Sequence, residues 1–164
     1  MRITIDTNIL KRAFNINEDF IYIEIITLIK SHLCKLCIDL EQNIKKEYDK
    51  NLKGSARYET WWKELRKDKL IDYCNGNLPN KHTKSLSKLG CHEPSDHIII
   101  AVALHSDKIL FTEDSDMGKG TKGHVQPHCQ ALVYLTSNLG LRVCDAKEGK
   151  DLILKNLNSV PNIQ

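Results

Sequence analysis

Apolar and polar positions follow two rhythms along this chain, and each change of rhythm marks an element. Residues 2–6, "RITID", alternate and are β-branched, which predicts a strand, and "TNILKRAF" continues as a helix. In "DFIYIEIITLIKSH" apolar residues recur at Phe20, Ile23, Ile26 and then Leu28 or Ile29, a helical spacing with Asp19 placed to cap it. "LCKLCID" predicts a second short strand. Two polar helices follow, "LEQNIKKEYDKNL", beginning near Leu40, and "ARYETWWKELRKDK", separated by Gly54-Ser55. The stretch "NGNLPNKHTKSLSKLG" predicts a loop and one short helix.

From Pro94 the pattern sharpens. Pro94-Ser95-Asp96 is a helix start, and "HIIIAVALHS" is apolar enough to be a buried helix. "KILFT" predicts the next strand, "PHCQALVYLTSNLG" a helix stopped by Gly140, "LRVCD" a last strand and "KEGKDLILKNL" a last helix. Strands alternating with helices of this length predict an α/β fold: a three-layer α/β/α sandwich around a central, mostly parallel sheet. At 164 residues with 41% hydrophobic and 27% charged side chains, the chain can fill one core, and residues 1–164 are expected to form a single domain.

No apolar run reaches the roughly 18–20 residues that span a bilayer, and the longest early stretch, "FIYIEIITLI", carries Glu24. The start "MRITIDTNIL" lacks a secretory pattern, so a cytoplasmic protein without membrane contact is expected. Cys34 and Cys37 have zinc-like spacing, but no second such pair completes four ligands, and the six cysteines read as ordinary thiols. The net charge of +3 says little; its distribution says more. Nine Lys or Arg residues stand against five acids between Lys45 and Lys69, a surface suited either to a polyanion or to plain solvation.

The informative feature is where the acids fall. In an open parallel sheet, ligands collect beyond the carboxyl ends of the strands. Asp6 ends the first strand, Asp114 and Asp116 follow "KILFT", and Asp96 opens the helix leading into that strand. Glu47 lies on the helix after the second strand. Carboxylates held together repel, and burial adds to the cost. A cation is the expected compensation, and hard oxygen donors in this number suit Mg²⁺ or Mn²⁺. Taken singly, Asp6 and Asp96 have a plain reading as helix caps and Glu47 as a surface residue; their conjunction points to a site.

Four stretches, "ITIDTNIL", "IKKEYDKNL", "EPSDHIIIAVAL" and "ILFTEDSDM", occur in an order that resembles the PIN-domain ribonuclease family. The resemblance spans nearly the whole chain, leaving residues 54–89 unaligned, and implies a single PIN-like nuclease domain over residues 1–164. It implies Asp6, Glu47, Asp96 and Asp114 as catalytic acids holding one or two Mg²⁺ or Mn²⁺ ions, with Asp116 as a further metal-side acid. Glu41 is an alternative to Glu47 as the helical acid. Thr112 and Asn8 are expected to orient carboxylates or water by hydrogen bonds. Lys119 and Lys122, in a loop beside the acids, are candidates for phosphates of the nucleic acid. The activity implied is metal-dependent endonucleolytic hydrolysis of RNA to 5′-phosphate and 3′-hydroxyl ends.

Small members of this family are commonly toxins of toxin–antitoxin pairs, often homodimers silenced by an antitoxin; others serve phage defence or RNA processing. The alternatives in view are a catalytically inert PIN-like module that binds RNA or protein, and a metal-dependent DNA nuclease. A phospho-acceptor receiver domain wants paired early acids, an Asp at its third strand and a Lys at its fifth; Asp6 stands alone and no such Lys is evident. An exposed aromatic patch of Phe20, Tyr22, Trp61 and Trp62 is the candidate contact for a partner, against the simpler expectation that these rings pack internally.

Overall fold

The computed structural model describes residues 1–15, 18–120 and 129–158. Its centre is a five-stranded, wholly parallel sheet in the order β3-β2-β1-β4-β5, from β1 (Arg2–Ile5), β2 (Lys35–Asp39), β3 (Ile71–Cys74), β4 (Ile109–Phe111) and β5 (Arg142–Cys144). Joining them are α1 (Thr7–Ala13), α2 (Phe20–Ser31), α3 (Asn43–Leu52), α4 (Ala56–Lys67), α5 (Asn80–Lys88), α6 (Pro94–Leu104) and α7 (Gln130–Val133), with α8 (Ala146–Asn158) after β5. Helices cover both faces, making the three-layer α/β/α sandwich that the alternation predicts. α6 lies against β1, β2 and β4, and α2 packs on α8.

The central strands are apolar because both their faces are covered. Ile3, Ile5, Leu36, Ile38, Leu110 and Phe111 are fully buried, and so is the run Ile100–Ala103 of α6. Each large apolar side chain so buried stabilises the fold by about 1.5–3 kcal/mol. At β4 the packing is close: a Cβ added to Gly149 of α8 would stand 3.0 Å from the Phe111 ring.

Three local expectations are corrected. The edge strand β3 is not among the predicted strands; its sequence, "IDYC", is short and its burial pattern does not alternate. α3 begins at Asn43 and not near Leu40, because Asp39 turns its carboxylate onto the first amides of the helix. Oδ2 accepts from the Asn43 amide at 2.8 Å and Oδ1 from the Ile44 amide at 2.8 Å, with Gln42 in a left-handed conformation to make the turn. The helix before β5 is not uniform: α7 passes into a π-helical stretch, Tyr134–Asn138, before Gly140 (φ +68°) stops it.

The aromatic patch is largely absent. Tyr22, Trp61 and Trp62 are all buried, and of the four only Phe20 stands in solvent, at 82% exposure. Trp61 donates from Nε1 to the Ile26 carbonyl at 3.2 Å and packs on Phe14, while Trp62 turns the other way, onto Tyr48 and Tyr58. Two adjacent tryptophans thus fill two different seams, one under α2 and one under α3. All six cysteines are free thiols, with Cys129 half-buried and the rest buried. Among the described residues no helix is long and apolar enough to cross a membrane.

Candidate active site

β1 and β4 lie side by side, with Ile5 level with Phe111, and the Asp6 amide donates to the Phe111 carbonyl at 2.8 Å. From β1 the chain moves towards β2, whereas from β4 it moves towards β5. The strand order therefore reverses here, and a crevice opens beyond the two carboxyl ends. Asp6 and Asp114 stand at its mouth because each closely follows one of these strands.

Asp6 occupies the cap position of α1, yet its side chain does not cap. Its Oδ2 instead accepts from the Thr112 hydroxyl at 2.6 Å and from Asn8 Nδ2 at 2.9 Å, leaving the residue 6% exposed. Thr112 and Asn8 tie the two strand ends together. The Thr112 hydroxyl also accepts from the Asp114 amide at 3.0 Å, and Asn8 Oδ1 accepts from the Glu113 amide at 3.1 Å. Asp114 in turn accepts from the Asp116 amide at 2.8 Å, which shapes the loop and leaves Asp116 exposed.

Asp96 reaches the same place from the first turn of α6, where Pro94 presets the start of the helix. It is buried, and the Cys91 thiol points at its Oδ2 from 3.7 Å. Glu47 approaches along α3, half-buried, its Oε1 accepting from the Thr7 hydroxyl at 2.6 Å. Next to it Tyr48, fully buried, donates its hydroxyl to the Ile5 carbonyl and pins α3 to the end of β1.

The electrostatics are those of uncompensated acids. Burial pushes the Asp6 carboxyl up to about 6, with Asp114 and Glu47 adding to the rise and the Thr112 and Asn8 hydrogen bonds opposing it. Asp96 is pushed up to about 7, by burial first and then by Asp114, Asp6 and Asp116. Asp114 is raised as well, by burial and by Asp116. The charges acting on Asp6 and Asp96 most strongly are thus those of other carboxylates.

Not every candidate stands in this cluster. Glu41 is exposed and lines a separate cleft between α3 and α4. Glu113, sandwiched between Thr112 and Asp114 in sequence, turns away to accept from the Ala146 amide at 3.0 Å, and so caps the start of α8. Lys119 pairs with Glu148 at 2.5 Å, while Lys122 lies outside the described residues. Reasoning from the sequence misses Thr7, Asp39 and Cys91. Asp39 carries a visible signal, since it ends its strand much as Asp6 does; Thr7 and Cys91 carry none apart from their neighbours.

The donor set is chemically suited to Mg²⁺ or Mn²⁺: hard carboxylate oxygens, with threonine and asparagine holding them in place. It is not a closed cage, because among the described residues no group of three or more His, Cys, Asp or Glu is close enough to hold an ion as it stands. Compared with protein-family models, curated proteins and solved structures, the chain matches none.

Proposed function

We propose that this protein is a divalent-metal-dependent nuclease with a PIN-like arrangement of acids, acting on RNA. The observation that carries the reading is that buried Asp6 and buried Asp96, from different elements, both feel the charge of Asp114. Two buried carboxyls from different elements are raised to about 6 and about 7 at the switch point of the sheet, both by burial and by the charge of Asp114. Such a cluster stores repulsion that a divalent cation relieves. Asp6, Asp96 and Asp114 would hold the ion, with Glu47 and Asp116 flanking it. When bound, it would supply charge neutralisation at a phosphodiester and an acidified water.

The chain's own residues supply orientation. Thr112 and Asn8 both donate from their side chains to Oδ2 of Asp6, which fixes the orientation of the carboxylate. Thr7 holds one oxygen of Glu47 in the same way. RNA as the substrate rests on the likeness of the four sequence motifs to PIN-domain ribonucleases. The toxin, phage-defence and RNA-processing roles, with an antitoxin or a second copy as partner, share this chemistry and rest on the same likeness. A second reading keeps the fold without the chemistry, an inert module that binds RNA or protein.

The test is incubation of end-labelled single-stranded RNA and DNA with the protein in Mn²⁺, Mg²⁺ or EDTA, beside Asp6→Asn and Asp96→Asn. The reading expects metal-dependent RNA cleavage that falls at least about a hundredfold in both variants. Cleavage of DNA alone would replace the substrate class, and inertness in every metal would favour the binding module.

A further inference from the structure

A cleft of about 630 Å³ lies at the β3 edge of the sheet, between α3 and α4 and apart from the acid cluster. Lys46 stands on one wall and Lys63 and Arg66 on the other, with Tyr73 of β3 between them. Lys45, also in the cleft, is already committed. It pairs with Asp49 one turn on, and its ammonium sits 4.6 Å from the centre of the Trp62 ring. Asp49 also accepts from the Tyr58 hydroxyl at 2.9 Å, so this acid is satisfied internally. Lys46, Lys63 and Arg66 make no ion pair among the described residues. The remaining acids of the walls, Glu41 and Glu59, are both exposed.

The three cations come from both walls of the cleft. Lys63 and Arg66 are one turn apart on α4, about 4.5 Å along the axis, and Lys46 faces them. That is the layout for a run of phosphates. Tyr73, 49% exposed on a strand that among the described residues pairs with β2 alone, offers the kind of aromatic surface on which a base stacks. Glu41 and Gln42, which follow the end of β2, line the cleft at the same end of the sheet as Asp6. On α3, Lys46 precedes Glu47 by one residue and so points about 100° away from it around the helix. We infer that this cleft binds the backbone of a single-stranded polynucleotide, held by Lys46, Lys63 and Arg66 and stacked on Tyr73, so that its continuation crosses α3 towards the acids; the class of polymer rests on the nuclease reading.

The test is binding of a short fluorescent oligoribonucleotide to the full chain in EDTA, across a range of salt concentration. The triple variant Lys46→Gln/Lys63→Gln/Arg66→Gln is compared with Lys35→Gln/Lys84→Gln/Lys155→Gln, which removes the same charge elsewhere. Circular dichroism checks that all variants fold. The expected result is a salt slope shallower by about 2 in the cleft variant only, at roughly 0.7 for each phosphate no longer neutralised. Tyr73→Ala is expected to weaken binding about tenfold with its slope unchanged. Equal slopes in the wild type and the cleft variant would overturn the inference, as would polyglutamate competing as well as unlabelled RNA. Because metal is chelated throughout, cleft-dependent binding by a protein that never cleaves would sustain this inference while the nuclease reading fails. Metal-dependent cleavage with cleft-independent binding would do the reverse.

Discussion

A single oxygen decides what Asp6 can be. The side chains of Thr112 and Asn8 both donate to Oδ2, so an asparagine whose carbonyl takes that position keeps these two bonds. What Asp6→Asn removes is the charge. Asp6 is raised to about 6, so at about pH 8 it is ionised in both the folded and the unfolded chain, and the folded state alone bears the cost of burying it. In EDTA at that pH, urea unfolding should therefore find Asp6→Asn more stable than the wild type by about 2 kcal/mol, within the ~3 kcal/mol that two pH units imply. Saturating Mn²⁺ should reverse the order. A variant less stable than the wild type in EDTA would mean that the charge is already compensated. The acids themselves were legible in the sequence because each abuts a recognisable strand end or helix start. Their partners were not: Thr7 meets Glu47 across forty positions, and Glu113 bonds the Ala146 amide thirty-three positions on.

At the scale of elements, α3 shows how the fold aims a catalytic candidate. Its start is set by Asp39, wholly buried, whose two oxygens take the Asn43 and Ile44 amides. The chain returns close behind it, and a Cβ on Gly76 would stand 2.7 Å from that of Asp39, so the cap cannot move aside. Asp39→Ala should cost about 2–3 kcal/mol, since two buried amides lose their acceptor. Thermal unfolding checks this, and an unchanged Tm would show that the start of α3 is held by other means. Strongly patterned elements such as α2 and α6 were legible from apolar spacing and capping residues. β3 was hidden because an edge strand flanked by a polar helix and a loop needs little alternation; its place is set by pairing with β2 over Leu36 to Asp39. Trp61 and Trp62 misled for a related reason. Adjacent helical residues face apart, but here both directions lead into protein.

Over the whole molecule, alternation of strands and helices predicts a parallel sheet, while the strand order, and hence the crevice between β1 and β4, needs the three-dimensional pairing. That crevice makes stability depend on pH in a defined direction. Asp6 and Asp96 are raised in the folded state, so the folded protein binds more protons than the unfolded one between about pH 4 and the folded values of about 6 and about 7. Without metal, their contribution is therefore intact below about pH 4 and is lost as pH rises towards 7. Scanning calorimetry in EDTA should show this decline in the wild type and a smaller one in Asp96→Asn; identical profiles would remove the electrostatic coupling. The same protons give the most direct test of the central claim, that these acids form a cation site. At about pH 6.5 the raised carboxyls of Asp6 and Asp96 still hold protons in part, and a cation that binds them displaces those protons. Mn²⁺ titrated calorimetrically into the metal-free protein at that pH, in two buffers of different ionisation heat, should bind saturably and release protons, and Asp96→Asn should lose most of both signals. The absence of saturable binding at millimolar Mn²⁺, or binding that releases no proton and survives Asp96→Asn, would contradict it.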